Sequence, residues 1–167
     1  MAVNGGRPGG LGPSLRRAWV GYQSRLDEQL AAAGFDDRRF PDGRVLRICA
    51  HSDETTISQI ARELGISRQG AGKIVASLRE RRYVTLTPSA TDGREKTVEL
   101  TARAVDYLAA QRKAARRIER QLRNVVGPEG FDVLELLLKA LGDEEQPRMR
   151  HYLRNANPAN PADQRAM

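Results

Sequence analysis

The residues of this chain best equipped for recognition chemistry lie close together. They are Ser67-Arg68-Gln69-Gly70-Ala71-Gly72-Lys73, then Arg79, then Asp92-Gly93-Arg94-Glu95-Lys96. An arginine guanidinium presents a planar fork that matches two acceptors on guanine, and a glutamine amide matches the donor and acceptor on adenine. Arg68 and Gln69 are adjacent, and Lys73 follows Gln69 by one helical turn, within reach of a phosphate or a base. Ser67 can cap a helix, and the amides at a helix N-terminus attract phosphate. Arg79, Arg81 and Arg82 are expected as phosphate contacts or solvated surface. Arg94 at a hairpin tip, with Lys96 nearby and Asp92 to hold the loop, suits a narrow, electronegative minor groove. The competing reading of that segment is an ordinary solvated turn. Gly70 and Gly72 each cost about 1 kcal/mol relative to alanine inside a helix. Either their missing side chains allow close backbone approach to a nucleic acid, or they reflect close helix packing and tolerance near a helix end.

The flanking pattern supplies elements that would position these groups. Ile57, Ile60, Ala61 and Leu64 have helical spacing, Gly65-Ile66-Ser67 interrupts it, and Ala71, Ile74, Val75 and Leu78 resume it. Thr56 and Gln59 have capping-box spacing, and Gly65 supplies a left-handed stop. Two strand-like runs, Tyr83–Thr87 and Thr97–Leu100, bracket the charged turn. A helix–turn–helix followed by a charged hairpin predicts a winged helix, whose second helix enters the major groove of double-stranded DNA. Upstream, Leu15, Ala18, Trp19, Tyr22, Leu26, Leu30 and Ala33 form one stripe of a long helix from Ser14 to near Gly34. A second helix opens around Phe40-Pro41-Asp42, with Pro41 in its first turn, and turns Val45, Leu46, Ile48 and Cys49 inward. Downstream, Thr101 starts a fifth helix on Ala104, Leu108, Ala115, Ile118, Leu122 and Val126. Gly127-Pro128 interrupts it, and a sixth carries Phe131, Leu134, Leu137, Leu138 and Leu141.

The expected fold class is therefore mainly α with a small β-hairpin wing, a winged helix–turn–helix flanked by N- and C-terminal dimerisation helices. Residues 1–12 read as a flexible arm, 13–142 as the folded domain (helix–turn–helix about 56–82, wing about 83–100), and 143–167 as a polar tail. A short helix over 147–154 would fit Met149, Tyr152 and Leu153. The outer helices carry more apolar surface than one small winged domain needs, and a symmetric dimer would bury the excess.

Composition narrows the field further. The net charge of +7 suits a polyanionic partner, although only four of 28 basic residues are lysines, and arginine excess can reflect genome composition. Across 56–100 eight basic residues oppose five acidic ones, a modestly positive surface that predicts salt-sensitive binding. One cysteine excludes an intramolecular disulfide framework, the start of the chain lacks a signal-peptide core, and no apolar run is long enough to cross a bilayer. A soluble cytoplasmic protein is expected. There is no phosphate-cradling loop after a strand, no paired-carboxylate arrangement and no nucleophile–base pair, so enzymatic chemistry has no support and no cofactor is implied.

Three segments carry a more specific likeness: Ile57-Ser58-Gln59-Ile60-Ala61-Arg62-Glu63-Leu64-Gly65-Ile66-Ser67, Leu78-Arg79-Glu80-Arg81-Arg82-Tyr83-Val84, and Asp92-Gly93-Arg94 leading into Val98-Glu99-Leu100-Thr101. With the helices on both sides, the chain resembles the MarR family of bacterial transcriptional regulators from about Ser14 to Leu141. Two departures are Gly93, where a second charged residue is common, and the two glycines of the recognition helix. The resemblance implies an obligate homodimer with intertwined terminal helices, each subunit reading half of a pseudo-palindromic operator. It also implies control by a small ligand or oxidant. The DNA-binding set is expected to be Ser67, Arg68, Gln69, Gly70, Lys73, Arg79, Asp92, Arg94 and Lys96.

Other residues admit sharper and plainer readings. Cys49 is a small core residue or a redox sensor, although the redox-sensing relatives place that cysteine near the start of the first helix. Trp19, Tyr22 and His51 either line a pocket for a small aromatic ligand where dimerisation and DNA-binding parts meet, or are simply structural. His51 with Asp53 and Glu54 lacks the partners of a metal site. The fifth helix carries Arg103, Arg112, Lys113, Arg116, Arg117, Arg120 and Arg123 against Asp106 and Glu119. These are solvated, or pair across a dimer with Glu28 or Glu135. The leading function is a sequence-specific repressor relieved by a ligand. The alternative is an architectural or adaptor module binding nucleic acid or protein without sequence preference.

Overall fold

The computed structural model describes residues 10–52, 54–88 and 95–142. Helix α1, Leu11–Ala32, opens three residues before Ser14. Pro13 falls in its first turn, where an amide would have no helical partner, so the missing N–H costs nothing. Helix α2, Asp42–Ala50, leaves Pro41 at the cap rather than in the first turn. The helix–turn–helix is α3, Ile57–Leu64, and α4, Arg68–Glu80. The wing follows as β1, Val84–Pro88, and β2, Lys96–Leu100, and α5, Ala102–Leu141, completes the described chain.

Local chemistry sets most boundaries. Thr56 and Gln59 form the expected capping box, Gln59 N–H to Thr56 Oγ1 at 3.2 Å and Thr56 N–H to Gln59 Oε1 at 2.8 Å. Ser67 Oγ accepts from Gly70 N–H at 3.1 Å and Thr101 Oγ1 from Ala104 N–H at 3.3 Å. Gly65, at φ 65°, closes α3 with paired bonds from its own amide and that of Ile66, both 3.0 Å. Helix α4 closes in the same way, but Arg82 occupies the left-handed position at φ 62°, where a glycine would be unstrained.

The strands pair antiparallel from Val84↔Leu100 to Pro88↔Lys96. Sequence periodicity missed a third contributor: Thr56 bridges Thr97, and Val98 N–H donates to Thr55 C=O at 2.7 Å. This contact ties the wing to the start of α3. The expected fifth and sixth helices are two arms of α5 separated only by Gly127, at φ 78° and ψ 163°. Across that break Arg123 pairs with Asp132 at 3.0 Å and covers the Phe131 ring at 4.3 Å.

The core gathers Leu26 and Leu30 of α1, Val45, Leu46 and Cys49 of α2, Ile60 and Leu64 of α3, and Ala71, Val75 and Leu78 of α4 against Tyr107, Leu108 and Ile118 of α5. Leu26, Leu30 and Phe131 of the expected stripes are buried, but apolar surface on both outer elements stays open. Trp19 and Val20 on α1 are exposed, as are Val125, Val126, Val133, Leu134, Leu136, Leu137, Leu138 and Leu141 around and beyond the α5 break. Among the described residues no helix is long and apolar enough to cross a membrane.

Candidate nucleic-acid interface

The position of α4 follows from its buried stripe. Ala71, Val75 and Leu78 lie against the core, which turns Gln69 and Lys73 to the opposite side and leaves both exposed. Arg68 projects from the first turn with its side chain 66% exposed, and Arg79 is exposed near the far end. Gly72 and Ala76 lie between these polar groups and make the surface smooth. A Cβ on Gly72 would meet nothing within 4 Å, so packing inside this protein does not require the glycine. Gly70 differs, because its Cβ would stand 3.3 Å from Ser67 Oγ, the atom that caps the helix.

The far end of the paired strands flanks this end of α4. Glu95 Oε1 lies 3.4 Å from Arg68 Nη2 and accepts a 2.7 Å bond from Ser58 Oγ on α3. Lys96 is exposed at the start of β2. Asp92 and Arg94 lie outside the described residues, as do Asp53 and the segment 147–154. The structure thus brings Ser67, Arg68, Gln69, Gly70 and Lys73 together on one helix end, with Lys96 on the adjoining strand and Arg79 at the opposite end of α4.

One expectation is corrected. Arg81 is neither a phosphate contact nor solvated surface; it forms a two-pronged ion pair with Asp42, Nη1–Oδ2 2.5 Å and Nη2–Oδ1 3.0 Å, with side chains only 12% and 4% exposed. The Asp42 bond pushes its pKa above the ordinary arginine range, so the guanidinium is held charged. Arg81 also donates to the carbonyls of Asp37 at 2.9 Å and Ser77 at 3.1 Å. Asp37 in turn accepts from Tyr83 Oη at 2.6 Å and Arg103 Nη2 at 3.1 Å, and the Arg103 guanidinium stands 4.8 Å from the Tyr83 ring centre. Burial, then the Asp37 carboxylate, raise the Tyr83 phenol well above its ordinary range and keep it protonated. This network pins the far end of α4, the start of β1 and the first turn of α5 to the α1–α2 loop. A lone Asp37 or Asp42 in sequence gives no signal of it.

The ligand candidates divide. Trp19 and Tyr22 stack at 6.0 Å between ring centres, with Trp19 half exposed. Burial raises the Tyr22 phenol pKa, with Glu119 adding to the shift. His51 is exposed at the end of α2 and places Nδ1 2.6 Å from Arg47 C=O of its own helix, so it bonds locally rather than to the stacked pair. Nearby, Arg47 donates to Gln111 Oε1 at 2.8 Å, and Gln111 Nε2 reaches Tyr107 Oη at 3.4 Å. Gly43 makes room for this amide, since a Cβ there would come within 2.4 Å of Gln111 Nε2.

A helix–turn–helix whose second helix is exposed along one side, with a strand-paired wing at its flank, defines the winged-helix class. Residues 37–95, from the α1–α2 loop through both helices and into the wing, match the MarR family model. No curated protein matches the chain. Among solved structures, the transcriptional repressor CouR bound to a 23-mer DNA duplex is 26% identical, with a TM-score of 0.61, covering 84% of this chain and 98% of its own. The reduced form of MarR from E. coli is 18% identical at a TM-score of 0.66, with 80% and 96% covered. The S. aureus MepR–DNA complex is 16% identical at 0.62, with 81% and 96% covered. The segment 37–95 matches the MarR family model, and the chain built around it shares the fold of these solved regulators.

Proposed function

We propose that this protein is a homodimeric, sequence-specific DNA-binding regulator, most simply a repressor that occludes a promoter. The observation that carries the reading is the first turn of α4. Arg68 and Gln69, side chains suited to base edges, stand exposed on a helix whose other face is locked into the core. Ser67, Gly70, Lys73, Arg79 and Lys96, with Arg94 of the wing, supply backbone and minor-groove contacts, and Asp92 holds the loop that carries Arg94. The CouR and MepR structures bound to DNA support this use of the fold. The open apolar surface of α1 and of the second arm of α5 supports dimerisation through those helices. A small aromatic ligand seated by Trp19 and Tyr22 would relieve repression by changing the separation of the two recognition helices.

A gel shift on duplexes flanking the protein's own gene tests the core of this reading. The expected result is a specific complex whose affinity falls with salt, each neutralised phosphate adding about −0.9 to the log–log slope. Arg68→Ala and Gln69→Ala are each expected to relax discrimination at one base pair by about 1–3 kcal/mol. No specific complex, or an affinity indifferent to salt, would overturn it.

A further inference from the structure

We propose that Glu95 is a specificity-determining residue, which acts by positioning Arg68 against its base. The inference rests on the DNA-reading role proposed above and deepens it. Glu95 is the first described residue after the wing loop, yet its carboxylate is turned toward the helix–turn–helix instead of solvent, with its side chain 26% exposed. One oxygen, Oε1, serves two partners on two helices: the Ser58 hydroxyl at 2.7 Å and the Arg68 guanidinium at 3.4 Å. Ser58 lies in the first turn of α3 and Arg68 in the first turn of α4. Both helix N-termini carry positive partial charge and favour an anion there.

An unsupported arginine samples many rotamers, and ordering it against its base costs conformational entropy that weakens that contact alone. Holding Nη2 from behind narrows that ensemble and leaves the rest of the guanidinium fork to face a base. The same carboxylate lies beside the surface that meets phosphates, so it repels DNA that offers Arg68 no partner in return. Both effects act in one direction: Glu95 lowers general affinity and raises discrimination at the base pair that Arg68 reads. Specificity built from an attractive contact and a repulsive one together is a common device. The wing thereby sets how the recognition helix reads.

The test is in vitro selection from a randomised duplex library, with wild type, Glu95→Gln, Glu95→Ala, Arg68→Ala and the Arg68→Ala/Glu95→Ala double variant. Glu95→Gln retains an oxygen for Ser58 and removes only the charge, so it remains informative where Glu95→Ala folds poorly. Wild type is expected to enrich a half-site with one position dependent on Arg68. The Glu95 variants should lose about ten- to a hundredfold of preference at that same position alone. They should also bind an unrelated duplex more tightly, and the double variant should match Arg68→Ala in its preference at that position. An unchanged wild-type motif in the Glu95 variants overturns the proposal, and so does a preference lost evenly at all positions, which marks a wing-folding role. Wild-type protein that enriches no sequence overturns the DNA-reading role itself, and the positioning role with it.

Discussion

At the scale of single residues, the least replaceable group outside the exposed face of α4 is Asp42. Its carboxylate holds Arg81, and Arg81 holds the end of α4 through the Ser77 carbonyl. Removing one partner of a buried pair leaves the other charge uncompensated, at about 3–5 kcal/mol. Asp42→Ala is expected near the lower end, about 3 kcal/mol in urea denaturation, since Arg81 keeps two carbonyl acceptors. A loss under 1 kcal/mol would mean the pair is solvated in practice. Cys49 gives a pH-dependent prediction. Burial pushes its thiol from 9.0 to about 11, so the unfolded chain ionises first. Stability relative to Cys49→Ala is therefore constant below pH 9 and falls as the pH rises toward 11. Unfolding midpoints of the two proteins at pH 7, 9 and 10.5 measure this, and native protein at pH 8 should resist alkylation.

At the scale of elements, α4 separates two roles that look alike in sequence. Gly70 protects the Ser67 cap from a crowding Cβ, whereas Gly72 has open space in front of it. Gly72→Ala should therefore stabilise the helix by about 1 kcal/mol. If the open space admits a DNA backbone, the same variant melts higher yet binds every duplex more weakly, and this is the expected outcome. A higher melting temperature with unchanged affinity would show that the glycine is merely tolerated. The β2 side of the wing is held in two ways. Its base is paired to Thr55 and Thr56 through backbone contacts, and Glu95 is bound to α3 and α4 by side chains.

At the scale of the whole molecule, the second arm of α5 carries the test of the proposed dimer. Val133, Leu134, Leu136, Leu137, Leu138 and Leu141 are all exposed, and their helical positions span far more than one narrow seam. A helix apolar over so broad an arc offers more than one side for burial, which suits the proposed intertwining with a second copy. Leu137→Asp is expected to convert a dimer to monomers in sedimentation equilibrium and to abolish tight operator binding, because two half-sites about 34–36 Å apart need two linked recognition helices. An unchanged sedimentation mass would place the interface elsewhere.

Much of this architecture could be read from short windows. The Thr56 capping box, the Ser67 cap, the left-handed Gly65 and the stripes of α3 and α4 all depend on neighbours within a turn or two, so residue types alone determine them. They were enough to place Arg68, Gln69 and Lys73 on an exposed helix. Side-chain partnerships between distant segments were not legible. Asp37 draws Tyr83 and Arg103 from 46 and 66 positions away, and Glu95 selects Ser58 from 37. No local pattern singles out one carboxylate among many. Tertiary packing alone decided that Arg81 is buried while Arg79 is exposed, and that a wing carboxylate stands behind Arg68, because these pairs form only once the core has brought four elements to one place.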